Sequence, residues 1–204
     1  MITIVDYGVG NVQAFLNAYR LLNIDAQAAT SASELGEATR IILPGVGAFD
    51  HAMERLDESG MRETLDELVI GRRVPVLGVC VGMQMLGKSS DEGKRPGLGW
   101  IDGRVRGLRA LDPNGSLPLP HMGWNDVRPM PGAGLFAGLE TDARFYFLHS
   151  FYFECGRPDD VAAVAEYGMT FSCAVHASNM YGVQFHPEKS HHFGSRLLKN
   201  FVEV

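Results

Sequence analysis

Val74-Pro75-Val76-Leu77-Gly78-Val79-Cys80-Val81-Gly82 is the stretch that decides how this chain folds. Its first four residues form a short apolar run of the kind that makes a fully buried strand. The run leads into a cysteine set between two glycines, which is the nucleophile-elbow pattern with cysteine in place of serine. In that pattern the strand ends, the backbone turns sharply, and a helix is expected from about Met83. The turn crowds the backbone on both sides of the cysteine, so only glycine fits at Gly78 and Gly82. The sulfur is then pushed into a cleft near a helix N-terminus, where the positive end of the dipole favours thiolate, the reactive form. A cysteine without these neighbours reads as an ordinary core residue.

A thiol that attacks a carbonyl needs a base to take its proton and return it to the leaving group. The matching segment lies far downstream at His186-Pro187-Glu188, after the strand-like run Tyr181-Gly182-Val183-Gln184-Phe185. Imidazole titrates in the right range, and a carboxylate beside it fixes the tautomer and stabilises the imidazolium. Proline between the two stiffens the backbone that carries them. Taken together, Cys80, His186 and Glu188 form a candidate catalytic triad.

Composition narrows the alternatives. The chain has 204 residues, 46% of them hydrophobic, which suits one domain, 1–204, burying roughly 70% of its unfolded surface. A formal net charge of −6 argues against a nucleic-acid or anionic-membrane surface. No apolar stretch is long enough to span a bilayer, and Met1-Ile2-Thr3-Ile4-Val5-Asp6 lacks an export signal. Three cysteines, Cys80, Cys155 and Cys173, are an odd number without export, so free thiols in the cytoplasm are expected. None has metal-ligand spacing, and His191-His192 reads as solvated or capping histidines at the start of a final helix. No metal and no cofactor are expected.

Strands and helices alternate along the first half. Ile2-Thr3-Ile4-Val5 reads as a strand, and a helix from about Asn11 carries Val12, Phe15, Leu16 and Tyr19 on one face. Strands near Ala26–Ala29 and Ile41–Leu43 precede helical stretches around Ala48–Leu56 and Met61–Val69. This order predicts an α/β fold, a largely parallel sheet with helices on both faces. Leu98 to Ala177 is strand-rich and broken by turns, one of them at Asp112-Pro113-Asn114-Gly115-Ser116. Phe193–Phe201 suits a closing amphipathic helix.

In such sheets the chemistry lies at the carboxyl ends of the strands. Gly8-Val9-Gly10 is a poor dinucleotide fingerprint because Gln13 stands where the third glycine belongs, so a tight turn is the better reading. Pro44-Gly45-Val46-Gly47 is different: its glycines let a peptide unit reorient and aim an N–H at a developing oxyanion.

Cys80 in its elbow, Gln84 one turn later, and Gln184-Phe185-His186-Pro187-Glu188-Lys189-Ser190 resemble the class I (triad) glutamine amidotransferases. Asp6-Tyr7-Gly8-Val9-Gly10-Asn11, Leu43-Pro44-Gly45-Val46-Gly47 and Pro120-His121-Met122-Gly123-Trp124-Asn125 are similar to the glutaminase subunits of imidazole glycerol phosphate synthases within that family. The likeness runs from the first strand to the last helix and implies the family's three-layer fold.

The resemblance also implies chemistry. Cys80 would attack the side-chain amide of glutamine, with His186 as base and Glu188 orienting it. Gly45, Val46, Gly47 and the N–H of Val81 would form the oxyanion hole. Gln84, His149, Ser150 and Phe151 would contact the substrate, although Phe151 stands where the family usually has tyrosine. His149 also reads as a core histidine. A (β/α)₈-barrel cyclase would dock over the cleft as heterodimer partner, at His121, Met122, Trp124, Asn125 and Lys189, and take up the ammonia. Trp124 alone would read as a core aromatic.

Two other readings stay open at this level. Gly78–Leu86 and Ser190–Gly194 differ from the usual histidine-pathway wording and are similar to paralogues that supply ammonia for surface-polysaccharide sugars. A stand-alone cysteine amide hydrolase would use the same triad without a partner.

Overall fold

The computed structural model describes residues 1–112 and 115–204. Pro113 and Asn114, in the middle of the expected Asp112–Ser116 turn, lie outside the described residues.

The first half alternates as expected. Strand β1 (Ile2–Val5) is followed by helix α1 (Val12–Leu21), then β2 (Ala26–Ala29) and the single turn α2 (Ala32–Leu35). Asn11 caps α1 by accepting from the Ala14 N–H at 3.1 Å, and Phe15 and Tyr19 form its buried stripe. Next come β3 (Ile41–Gly45), α3 (Phe49–Glu58), α4 (Arg62–Asp66) and β4 (Val76–Cys80). The helical stretch expected over Met61–Val69 is α4 continued by a π-helical turn at Glu67–Gly71. Helix α5 (Val81–Met85) follows β4 without a linker.

The second half holds β5 (Gly103–Gly107), β6 (His121–Pro129), β7 (Ala143–His149), β8 (Phe151–Cys155), β9 (Val161–Tyr167), β10 (Met169–Ala177) and β11 (Met180–Val183), closed by α6 (His191–Glu203). Nine strands make one sheet in the order β2-β1-β3-β4-β11-β10-β9-β6-β7. The run from β2 to β11 is parallel throughout, while β10, β9, β6 and β7 pair antiparallel. The remaining β5 and β8 form a separate antiparallel pair.

The parallel half meets the expectation directly. Its central strands β1, β3 and β4 are short and buried on both faces, as a position between helical layers requires. Helix α1 packs with α6, and α3 with α5. The antiparallel half alternates instead: β7 reads Ala143, Phe145, Phe147 and His149 inward, with Arg144 and Leu148 outward. Phe145 stacks on Phe185 at 3.9 Å between ring centroids, and Phe136 meets both rings edge-on. This aromatic cluster lies directly behind the segment that carries His186.

The sheet order is what assembles the site. Strands β3, β4 and β11 are neighbours and run the same way, with Gly45 paired to Cys80 and Val183 to Val79. Loops from three distant parts of the chain therefore emerge side by side.

Candidate active site

Cys80 occupies a backbone conformation that few side chains adopt, with φ 56° and ψ −114°. Such a residue costs on the order of 1–3 kcal/mol and persists only where its surroundings enforce it. The two glycines do so for different reasons. A Cβ at Gly78 would sit 2.6 Å from the Gly82 carbonyl oxygen, because α5 doubles back over β4. One at Gly82 would collide with the Leu43 carbonyl oxygen of β3. The helix starts at Val81, two residues before the expected Met83, because the elbow makes the whole turn at Cys80 itself. With five residues it has little macrodipole, so its polarity at the sulfur comes from the free N–H groups of its first turn.

His186 is held on all sides. Its N–H donates to the Tyr146 carbonyl at 2.9 Å, and its own carbonyl accepts from the Ser190 hydroxyl at 2.6 Å. Its ring Nδ1 lies 2.8 Å from Glu188 Oε1, with both side chains almost fully buried. Burial on its own would depress the imidazole pKa. Hydrogen bonds to Cys80 and Glu188, reinforced by their charges, outweigh it and raise the value to about 9. Glu188 Oε2 has no hydrogen-bond partner among the described residues, so the carboxylate is committed to the imidazole.

Cys80 and His186 open onto a cleft of about 290 Å³, at the small end of the range for small-molecule sites. Val46, Gly47, Val81, Gln84, His149, Ser150 and Phe151 line it, so most of the expected oxyanion and substrate residues are brought together. Gly45 is not on the cleft wall. It packs behind, where a Cβ would strike the Gly82 N–H and lie 2.8 Å from the Val81 carbonyl carbon. The part of the loop not held by packing is Val46, which is exposed, and Gly47, with φ +80° and open space at its Cβ position.

His149 departs from expectation in one respect. Both its ring nitrogens are engaged, Nδ1 with the Phe151 carbonyl at 2.7 Å and Nε2 with His121 Nδ1 at 2.9 Å. A carbonyl only accepts, so Nδ1 of His149 carries the proton and Nε2 accepts from His121. The ring therefore has no nitrogen left for a substrate, and what this segment offers the cleft is its backbone. Burial holds both imidazoles neutral, pushing the pKa of His121 down to about 4 and that of His149 to about 3.

His121 is also a correction. Expected on a partner surface, it is buried, stacked between Phe147 and Tyr167 with centroids 4.8 and 4.1 Å away. Side chains alternate along β6, so His121 and Asn125 lie on the inner face, where Asn125 donates to the Glu166 carbonyl at 2.8 Å. Met122 (63% exposed) and Trp124 (45%) point outward with Leu148 of β7. Exposed Lys189 lines the cleft beside Leu148.

Glu92 lies outside every motif, and Tyr7 belongs to the Asp6–Asn11 segment without a role of its own there. Glu92 lines the cleft while its carboxylate accepts from the Phe49 N–H at the start of α3, 2.8 Å. Tyr7, buried beneath the oxyanion loop, donates its hydroxyl to the Pro44 carbonyl at 2.6 Å. Glu92 sits in a charged, irregular loop that offers no periodicity to read. Tyr7 looks like one more core aromatic until the loop above it is placed.

Residues 3–204 match the family described as Glutamine amidotransferase class-I. The chain is 65% identical over 204 residues to the imidazole glycerol phosphate synthase subunit HisH of Bdellovibrio bacteriovorus, with both chains covered completely. It is 50% identical to the subunit of that name from Leptospira interrogans, again over the full length of both. The HisH 2 subunit of Pseudomonas aeruginosa is 47% identical over 205 residues, likewise with full coverage. Among solved structures, a glutamine amidotransferase superposes with TM-score 0.77 at 20% identity, covering 99% of this chain and 97% of the other. PurLQS from Thermotoga maritima does so with TM-score 0.74 at 16% identity and the same coverage. At those identities the structural likeness concerns the fold.

Proposed function

The chain belongs to the class I glutamine amidotransferases, and from that premise we propose that it is the glutaminase subunit of an imidazole glycerol phosphate synthase. Its reaction is hydrolysis of glutamine to glutamate, with the ammonia passed to a (β/α)₈-barrel cyclase. The observation that carries the chemistry is the elbow cysteine beside an imidazole locked to a buried carboxylate at 2.8 Å. The pathway rests on relatives of 40–65% identity across the whole chain that share one subunit name.

The mechanism follows from the residues. With a pKa raised to about 9, His186 holds a proton at neutral pH, and Glu188 stabilises the imidazolium. Cys80 sulfur attacks the amide carbon of glutamine, and the carbonyl oxygen becomes an oxyanion. The N–H of Val81 faces it from the start of α5, and a peptide N–H of the Val46-Gly47 segment supplies the second donor. One such donor is worth about a hundred- to a thousand-fold in rate. The carbon–nitrogen bond breaks as His186 delivers its proton to the departing nitrogen, leaving a γ-glutamyl thioester and ammonia. Water, deprotonated by the now neutral imidazole, attacks the thioester and releases glutamate and the Cys80 sulfur.

Glutamine is a zwitterion, and the cleft rim holds one charge of each sign, Glu92 and Lys189. Glu92 suits the α-ammonium and Lys189 the α-carboxylate. Within the cleft, the buried Gln84 Oε1 has no partner among the described residues, and a substrate N–H would satisfy it.

Ammonia released into water at neutral pH is protonated and lost as a nucleophile, so a partner must cover the cleft. The outward apolar residues Met122, Trp124 and Leu148 suit that role, since Leu148 belongs to both the outer face and the cleft wall. In the cyclase, ammonia would combine with a phosphoribulosyl imidazole-carboxamide intermediate to give imidazole glycerol phosphate and an aminoimidazole-carboxamide ribotide.

Glutamate release by the purified chain, alone and with the organism's cyclase, with and without the cyclase's nucleotide ligand, tests the assignment. Slow turnover alone and strong stimulation by ligand-loaded cyclase is the expected result. Fast turnover alone would support an independent hydrolase, and no response to the cyclase would transfer the assignment to the surface-polysaccharide paralogue.

A further inference from the structure

Gln184, the first residue after β11, is fully buried and has no place in the triad. Its backbone N–H donates to the Cys173 carbonyl at 2.8 Å, which fixes where the side chain points. The side chain bridges two groups of the site. Its Oε1 accepts from Gln84 Nε2 at 3.0 Å, and its Nε2 lies 3.7 Å from Cys80 Sγ. With Gln84 donating to its Oε1, the Gln184 amide turns its N–H₂ end to the sulfur.

Besides His186, which approaches the sulfur from the triad side, Cys80 Sγ has the Leu148 carbonyl at 3.9 Å. A carbonyl accepts a proton from S–H but offers nothing to S⁻. A side-chain N–H₂ does the reverse, because hydrogen bonds to an ionised acceptor are roughly twice as strong as neutral ones. We infer that Gln184 is a catalytic residue whose amide N–H holds the Cys80 thiolate, with Gln84 acting through it as the positioning residue. The inference rests on Cys80 being the nucleophile of the proposed glutaminase.

The arrangement forms a relay of two amides. Among the described residues Gln84 Oε1 has no partner, and it lies in a residue that lines the cleft. When a substrate N–H donates to that oxygen, each successive amide is polarised toward the sulfur. Binding of glutamine thereby strengthens the donor on the thiolate that will attack it.

The test is the pH dependence of Cys80 alkylation by iodoacetamide in the full chain, together with steady-state glutaminase kinetics. The variants are Gln184→Glu, which replaces the donor with an acceptor of the same shape, and Gln184→Met, which keeps the volume without a donor. The titratable groups facing the sulfur are His186 and Glu188 after β11, Tyr7 after β1 and His149 at the end of β7. Glu92 and Lys189 lie farther out on the rim, and all six are unchanged in both variants.

At neutral pH the variants should alkylate about tenfold more slowly or worse, with the curve displaced to higher pH and kcat reduced by a similar factor. If the buried carboxylate prevents Gln184→Glu from folding, the near-isosteric Gln184→Met decides. A folded Gln184→Met with the wild-type alkylation profile and wild-type kcat overturns the inference. Should complete alkylation of Cys80 in the wild type leave glutaminase activity intact, the nucleophile assignment fails and the inference falls with it. Loss of wild-type activity on alkylation, with unaltered variants, removes Gln184 alone.

Discussion

The Tyr7 hydroxyl donates to the Pro44 carbonyl at 2.6 Å across 37 residues of sequence. Pro44 opens the loop that carries the expected oxyanion donors. It is pinned from the other side by Gly10, where a Cβ would come within 2.7 Å of Pro44 Cβ. With Gly45 wedged against α5, the first half of the loop is an anchor and only Val46-Gly47 is free to turn. Tyr7 thus anchors the segment that carries the proposed donor.

Replacing Tyr7 with phenylalanine keeps the ring and strands the buried carbonyl. An unsatisfied buried acceptor costs about 1–3 kcal/mol, so the urea midpoint should fall. Because the anchor loosens, glutaminase kcat should fall about tenfold with little change in KM, the pattern of an interaction made in the transition state. A lowered midpoint with unchanged kcat would leave Tyr7 a purely structural residue.

Gly82→Ala places a methyl group on the Leu43 carbonyl oxygen, a backbone atom that cannot move without disturbing β3. Overpacking of this kind costs about 1–3 kcal/mol or more. The variant should melt well below wild type, whereas Gly60→Ala, with open space at its Cβ position, should lose only the modest penalty of its positive φ. Equal melting temperatures for the two would contradict the packing described at the elbow.

The histidines predict a stability profile with pH. In the unfolded chain each titrates near 6.5. His186 is raised to about 9 in the fold, so its contribution is fully present below pH 6.5 and is lost as pH rises through about 9. His121 and His149 are lowered to about 4 and about 3. The unfolded chain takes up protons that these two refuse, so stability falls as pH drops from 6.5 toward those values. Glu188→Gln removes a charge that raises His186 and should flatten the alkaline limb of the urea midpoint, leaving the acid limb as in wild type. Parallel curves for variant and wild type across the alkaline limb would refute the coupling.

Trp124 lies on the outer face of β6, packed at 5.3 Å between ring centroids from His191. Being 45% exposed, it contributes little to the core and has the character of an interface anchor. Trp124→Ala should weaken cyclase binding by about 2 kcal/mol or more, some thirtyfold in Kd, at an unchanged melting temperature. Calorimetric titration of the cyclase reads this directly, and an unaltered Kd would move the docking face elsewhere.

How much of this was legible in the sequence depended on whether the signal was local. The elbow, the His186-Pro187-Glu188 segment and the parallel strands are written in consecutive residues, although the helix after the elbow begins at Val81 rather than Met83. The antiparallel half was legible only as strand-rich sequence, because its pairing depends on contacts such as β6 with β9 that no short segment encodes. His121 was misplaced for a similar reason. A motif shared with relatives gives its position but not its side of a strand, and alternation from Met122 and Trp124 puts His121 inward. Gln184, Glu92 and Tyr7 act through partners between 37 and 104 residues away, so their roles appear only when the chain is folded.

The central claim is that Cys80 carries the γ-glutamyl group. Rapid acid quenching of the enzyme during glutamine turnover, followed by mass spectrometry of the peptide that contains Cys80, tests it most directly. One added glutamyl acyl group is expected on Cys80, lost in Cys80→Ala together with glutamate release. Glutamate release that persists in Cys80→Ala, or an acyl group found on another residue, would contradict it.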